Sequence, residues 1–337
     1  FCNNMSSLFC DARAVRRRMN DAGAARQPFL FAVDFELREG LFVEEPLAQT
    51  EIGFAVAGRG NKGAFLAAAE DSGADHEALL VPDPMPEAEY LRRFDVVRRG
   101  LLRGDSFLTN LTVATRIETP CSLTEIFRRA DAPYLLCVPG RFVCFSPERF
   151  VWISDGRIAT NPMKGTISAT VPDAGRVILN DSKETAEHYT IVDLLRNDLG
   201  MHADSVTVER FRYIDRIATR RGDILQVSSE IAGRLPEGYE ARLGDIVFDM
   251  LPAGSVSGAP KSSTLRIIRQ AEGAPRGYYT GVFGYFDGRT LDSGVLIRFI
   301  ERRDGALWFR SGGGITAYSD PHAEYLEVLE KIYLPFR

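Results

Sequence analysis

Along this chain apolar residues gather mostly in short dense runs bounded by turn residues; in fewer places they recur at helical spacing. The runs read as strands. They are PFLFAVDFEL (28–37), EIGFAVAG (51–58, with GRGN as its turn), SFLTNLTVATRI (106–117), YLLCVPG (134–140), RFVCFSPERFVWIS (141–154) and GRIATNPM (156–163). DSVTVERFRYIDRI and DILQVSSEIAGRL follow at 204–217 and 223–235, and the hairpin-rich end holds GYYTGVFGYFDG, LDSGVLIRFIER and GALWFRSGGGITA. Helices are expected over 6–26, 87–102, 122–130, 183–199, 261–272 and from Pro321 onward. Tyr90, Phe94, Val97 and Leu101 lie about one turn apart, which makes an apolar stripe. Ser122, with Glu125 three residues on, forms a capping box. Hairpins outnumber β-α-β crossovers, so the expected class is α+β: large antiparallel sheets forming a core surrounded by helices. No internal repeat or low-complexity linker divides the chain, so residues 1–337 read as one domain.

Composition adds bounds. The 337 residues are 45% hydrophobic and 26% charged, ordinary for a globular chain with a large core. The net charge is -5 from 41 basic and 46 acidic residues that are interspersed, which argues against nucleic acid as a partner. Arg16, Arg17 and Arg18, followed by Asp21, read as a solvated helix face. Cys2, Cys10, Cys121, Cys137 and Cys144 form no C-x-x-C and no zinc pattern; reduced thiols in a cytoplasmic protein account for them. No apolar run is long enough to span a membrane, and FCNNMSSLF has no secretory-signal pattern. The residues before Met5 are left out of the functional reading.

Several short segments carry possible chemistry. Glu184 and Glu187 are three apart on an expected helix, and Glu324 and Glu327 repeat the spacing. Ile191, Leu194 and Leu195 follow the first pair and are expected to be buried, and Leu326 and Leu329 are the apolar neighbours of the second. Inward-facing carboxylates repel one another unless a cation or proton compensates, and Mg²⁺ is a hard ion suited to such oxygens. Taken alone, E-x-x-E on a helix is ordinarily a solvated face. SGGGI (311–315) leaves backbone N–H groups unshielded, as an anion nest or as a plain turn. PAGSVSGAPKSS (252–263) could hold an anion at a helix start near Lys261, yet it lacks the P-loop pattern. Lys164, in NPMKGT, reads as a loop residue after a strand; it would be a nucleophile only with a lowered pKa. Glu148, in the strand segment SPERF, could be a general acid or a salt-bridge partner. The four His residues form no metal pattern.

Together and in order these segments say more. SPERF, NPMKGT, AEHYTIVDLLRNDLG, PAGSVSGAPK, YTGVFGYFDG, LIRF and SGGGITAYSDPHAEYLEVLEK closely resemble the motifs of the chorismate-utilising enzymes. That family includes component I of anthranilate synthase, component I of aminodeoxychorismate synthase, and the isochorismate and salicylate synthases. The resemblance covers residues 87–335; residues 1–80 look like a shortened N-terminal part, where some relatives bind tryptophan. It implies an anthranilate synthase component I-like fold around a Mg²⁺–chorismate site. Position by position, it places the metal ligands on Glu187 and Glu327, with Glu184 and Glu324 beside them, and the general acid on Glu148. Arg298 and Lys331 match the residues that hold substrate carboxylates, helped by the backbone of Gly312, Gly313 and Gly314. Ser255 matches a hydroxyl contact to substrate, and Lys261 lies in the same motif. Gln226 stands where many relatives have His.

Lys164 separates the members. Anthranilate and isochorismate synthases resemble P-x-A-G-T at this place, aminodeoxychorismate synthases P-I-K-G-T, and this chain reads Pro162-Met163-Lys164-Gly165-Thr166. The water-using members carry a basic Lys that aligns with Leu108 here. The resemblance therefore implies amination of chorismate by ammonia to 4-amino-4-deoxychorismate, as for para-aminobenzoate and folate synthesis, with Lys164 as covalent nucleophile. The chain has no G-x-C-x-G elbow, so ammonia is expected from a separate glutamine amidotransferase subunit. An anthranilate synthase component I and a catalytically silent chorismate-binding homologue stay open as alternatives.

Overall fold

The computed structural model describes residues 8–69, 75–217 and 222–336, so Cys2 and the segment before Met5 lie outside the described residues. Two antiparallel sheets make the core. One has ten strands, in the order Phe9–Asp11, Glu39–Glu44, Phe29–Val33, Val282–Phe286, Leu291–Val295, Arg149–Ser154, Arg157–Thr160, Ile224–Arg234, Met163–Ser168, with Asp204–Ile217 on the other side of Ile224–Arg234. The other has nine: Gly258–Ala259, Leu108–Glu118, Ala306–Ile315, Phe299–Arg303, Phe142–Ser146, Tyr134–Val138, Gly53–Val56, Arg59–Gly60, with Val81–Asp83 beside Leu108–Glu118. The expected α+β class is what the structure has.

The apolar runs explain the layering. FLFAV (Phe29–Val33) is buried at every position because both faces of its sheet are covered. Phe29, Phe31 and Val33 pack under Val15 and Met19 of the helix Ala12–Ala24. Leu30 and Ala32 point the other way, against Phe54, Leu136 and Val138 of the nine-stranded sheet. Each such fully buried large side chain contributes about 1.5–3 kcal/mol. The stripe Tyr90, Phe94, Val97, Leu101 packs with Leu111, Val113 and Val328, fixing the helix Glu87–Leu102 over the second sheet.

The structure corrects the sequence reading in several places. RFVCFSPERFVWIS is not one strand: it breaks at Pro147 and Glu148, and its halves enter different sheets. Proline has no N–H to give to a ladder, and the chain changes sheets there. Lys164 is not in a loop. It lies in the strand Met163–Ser168, paired with Val227, and the register slips at Gly165, whose φ is +75°. The strand Glu39–Glu44 and the helices Ala174–Asn180 and Leu243–Asp249 went unread, because each holds only a few apolar residues in a row. Arg16 and Arg18 do not form a merely solvated face. Arg16 pairs with Asp245 and Asp249, and Arg18 with Glu44. In the last helix the buried apolar residue is Val328, while Leu326 is 44% exposed. Ile191 and Leu195 are buried as expected; Leu194 is half-buried. Cys10, Cys121, Cys137 and Cys144 are free thiols. Among the described residues no helix is long and apolar enough to cross a membrane.

Candidate active site

The candidate residues come together where the ends of the two sheets meet two helices. The acidic helix Ser182–Gly200 starts with Asp181 as cap, its carboxylate accepting from the Glu184 N–H. It carries Glu184 and the buried Glu187. The helix Pro321–Glu330, capped by Asp320, carries the buried Glu324 and the half-exposed Glu327. Both approach the strand Ala306–Ile315 at its glycines. A methyl group added at Gly313 would lie 3.4 Å from Glu324 Oε2 and 3.7 Å from Glu327 Oε1. One added at Gly314 would lie 3.1 Å from Glu187 Oε2 and 3.3 Å from Lys164 Nζ. Gly313 and Gly314 are successive residues of a regular ladder, so their side-chain positions face opposite sides: Glu324 and Glu327 approach one side of the strand, Glu187 and Lys164 the other. A side chain at Gly314 would press on Glu187 Oε2.

This is a different use of SGGGI from an anion nest. The three glycines are ladder residues, opposite Thr112, Leu111 and Asn110, and none has the positive φ that a nest requires. Gly312 offers its carbonyl, which accepts a 2.7 Å hydrogen bond from Lys331 Nζ. Lys331 also binds Glu327 at 2.8 Å. Burial pulls the Lys331 pKa below the usual lysine value, Arg298 and Lys164 push the same way, and Glu327 only partly opposes them. Arg298 sits nearby on a left-handed backbone, φ +53°, with its Nε 3.3 Å from the Tyr333 hydroxyl. Such a conformation costs of order 1–3 kcal/mol in a non-glycine residue. Tyr333 was not singled out from the sequence, although it stands two residues after Lys331.

Lys164 Nζ is 3.2 Å from Glu187 Oε2. Burial lowers its pKa, but Glu187, Glu184 and Glu148 outweigh burial and leave it raised. In this arrangement Lys164 is therefore a paired ammonium. Leu108 closes the same corner, 3.2 Å from the Gly314 Cβ position. Glu148, at the turn between sheets, accepts a 2.5 Å hydrogen bond from the Ser255 hydroxyl. Burial raises the Glu148 pKa, against the Ser255 hydrogen bond and the charges of Lys164 and Arg298, which stabilise the ionised form. That Ser255 partners Glu148 across 107 positions of chain could not be read from either motif.

One expected site residue, Lys261, is engaged with other partners. Lys261 donates to the Met250 carbonyl at 2.6 Å and pairs with the buried Asp198 at 2.9 Å, so its charge is directed to the acidic helix rather than to the glutamates. Gln226 is half-buried in Ile224–Arg234, opposite Thr166 and Asp215, while Val227 is the register partner of Lys164. Among the described residues no three His, Cys, Asp or Glu side chains converge as a closed metal cage. Glu187 and Glu327 are oxygen donors of the kind Mg²⁺ takes, one or two at a time, with waters and substrate oxygens, and here each carboxylate is paired with an ammonium, Lys164 and Lys331.

Residues 44–337 match the family model described as chorismate binding enzyme. The chain belongs to this family. A protein of Haemophilus influenzae named an uncharacterized PabA-like protein is 50% identical over 317 residues, 94% of each chain. Aminodeoxychorismate synthase component 1 of Salmonella typhimurium is 33% identical over 264 residues, 74% of this chain and 57% of its own. The crystal structure of anthranilate synthase component I from Streptococcus pneumoniae superposes with a TM-score of 0.65 at 26% identity, over 78% of this chain and 61% of that one. The chain thus spans about three-fifths of the length of these two named synthases. The matched residues include the glycine strand, beside which Glu187, Lys164, Glu324, Glu327 and Lys331 lie.

Proposed function

We propose that this chain replaces the ring hydroxyl of chorismate by ammonia, giving 4-amino-4-deoxychorismate and water. The observation that carries this reading is the position of Lys164 Nζ, at the glycine wall beside Glu187, with Leu108 rather than a basic residue in the same corner. Arg298 and Lys331 hold the substrate carboxylates. Glu148, whose raised pKa keeps it protonated to higher pH than a free carboxyl, gives its proton to the hydroxyl at carbon 4, which leaves as water. Lys164 first gives the proton of its ammonium to solvent as its pair with Glu187 is loosened, and the neutral amine then forms a bond to carbon 2 as the ring double bond shifts and the carbon–oxygen bond breaks. Ammonia then bonds to carbon 4, the double bond shifts back, and the lysine nitrogen departs. One proton from the incoming ammonia restores Glu148, and Lys164 ends as it began. The residues that would hold Mg²⁺ are Glu187 and Glu327, with Glu184 and Glu324 beside them. Bound there, the ion would neutralise these carboxylates, draw in a substrate carboxylate and loosen the Lys164–Glu187 pair. A separate glutamine amidotransferase subunit supplies the ammonia in this reading.

Mass spectrometry of the product from chorismate, Mg²⁺ and ammonium tests it. Aminodeoxychorismate supports the reading. Ortho-aminobenzoate with pyruvate release would make the chain an anthranilate synthase component I, and chorismate binding without turnover, even with an amidotransferase added, a silent homologue.

The Ser255–Glu148 bond gives a pH prediction. A general acid works protonated, so the rate falls as pH rises through the raised Glu148 pKa. The Ser255 hydroxyl stabilises the ionised carboxylate and lowers that pKa. Ser255→Ala is expected to move the basic limb of the kcat profile to higher pH. A limb that stays in place or moves down removes Glu148 from the acid role.

A further inference from the structure

We propose that Arg276 is a positioning residue for this site, tying the Ser255–Glu148 pair to the glycine wall through two backbone carbonyls. Arg276 is the largest fully buried side chain in the described structure, 1% exposed, and the proposed chemistry does not use it. One nitrogen, Nη1, donates to the carbonyl of Val256 at 2.7 Å. Val256 directly follows Ser255, whose hydroxyl holds Glu148. The other, Nη2, donates to the carbonyl of Asn110 at 2.7 Å. Asn110 is the ladder partner of Gly314, the residue against which Glu187 and Lys164 lie. A single rigid guanidinium therefore spans the two walls.

The fork is itself anchored. Glu272 accepts from Arg276 Nε at 2.9 Å and from Nη2 at 2.7 Å, and its Oε1 also takes the N–H of Thr112 at 2.8 Å. Phe35 stacks 4.4 Å from the guanidinium carbon, and Glu36 accepts the Arg276 N–H at 2.8 Å. Arginine alone presents several donors in a fixed plane. Lysine in its place keeps the charge but has one nitrogen, which cannot reach both carbonyls and Glu272 in this geometry.

The structural half of this inference is independent of the reaction; the catalytic half rests on the chorismate amination proposed above. The experiment separates them. Arg276→Lys is compared with the unaltered chain by hydrogen–deuterium exchange and by steady-state turnover of chorismate with Mg²⁺ and ammonium. Exchange is expected to rise at 253–259 and 109–112 and to stay unchanged elsewhere. kcat is expected to fall roughly 10- to 100-fold, the cost of small misplacement of reacting groups, with the chorismate KM moving less. In a Ser255→Ala background the same change should cost no more than about threefold, because coupled residues are not additive. Full-size multiplication of the two effects, or unaltered exchange at both segments, overturns the proposal. If Arg276→Lys does not fold, Glu272→Gln, which loosens the anchor and keeps the arginine, is put through the same cycle with the same expected pattern. Absence of turnover in the unaltered chain would count against the amination reading alone, since the exchange result still decides whether Arg276 braces the two walls.

Discussion

Lys164→Ala is expected to lower ammonium-dependent amination by roughly 10⁴-fold or more, the scale on which removal of an enzyme's nucleophile falls. The chain should stay folded. Among the described residues the strand of Lys164 pairs with Ile224–Arg234 alone, the lysine side chain is 20% exposed, and its chief tie is the ion pair to Glu187. Removing the ammonium leaves the sheet ladder intact, because the ladder uses backbone groups, but deprives the 4% exposed Glu187 carboxylate of its closest partner. A cooperative melt at a lowered temperature, together with the loss of amination, is the expected outcome. Turnover at the original rate would remove Lys164 from the role of nucleophile. Trapping supplies a second check: with ammonia withheld, the intact chain should gain the mass of chorismate less water, and the alanine variant should not.

Glu187→Ala and Glu327→Ala carry the second large effect, read as Mg²⁺-dependent binding of chorismate by titration calorimetry. Loss of a residue that merely supports a metal ligand costs 10–100-fold in affinity, so loss of a ligand is expected to cost more than ~100-fold. The two variants should differ in their side effects. Glu187 is 4% exposed and faces Lys164, so its removal also leaves a half-buried ammonium without its closest partner. Glu327 has a side chain 42% exposed, and its partner Lys331 keeps the Gly312 carbonyl. Stability should therefore fall in the first variant and hardly move in the second. Chorismate binding that is indifferent to Mg²⁺ in the unaltered chain would remove the metal from the proposal.

The fold was legible in the sequence where the apolar runs are long. FLFAV could only be a strand covered on both faces, and the stripe on Glu87–Leu102 could only be a helix on a sheet. Legibility failed where a run crosses from one sheet to the other. Nothing in RFVCFSPERFVWIS except Pro147 marks the crossing, and local patterning does not record which strands will be neighbours. The glutamate pairs were legible as spacing, but the placing of Glu187 at Gly314 was not, since it depends on packing between residues more than 100 positions apart. Lys261 shows the converse. Its motif drew attention to an anion site, while its ammonium satisfies Asp198 and the Met250 carbonyl. Lys164 misled in a third way: a lysine between Pro162 and Gly165 looks like a loop, yet the slip in register at Gly165 lets the strand continue past it.

The glycine strand has a consequence for how the protein is made. Glu148 and Lys164 leave the ribosome well before the wall they face, since Gly314 follows Lys164 by about 150 positions. The strand Ala306–Ile315 also pairs with Leu108–Glu118, nearly 200 positions earlier, so that place in the sheet stays open until the later strand is made. Such distant pairings close slowly, because the entropy of a long loop is lost before the contact is made. Until then Glu187 and Lys164 have each other and no wall. A nascent chain can thus build most of its first sheet before the glycine wall exists, and the corner that holds Glu187 and Lys164 closes only when that distant strand docks.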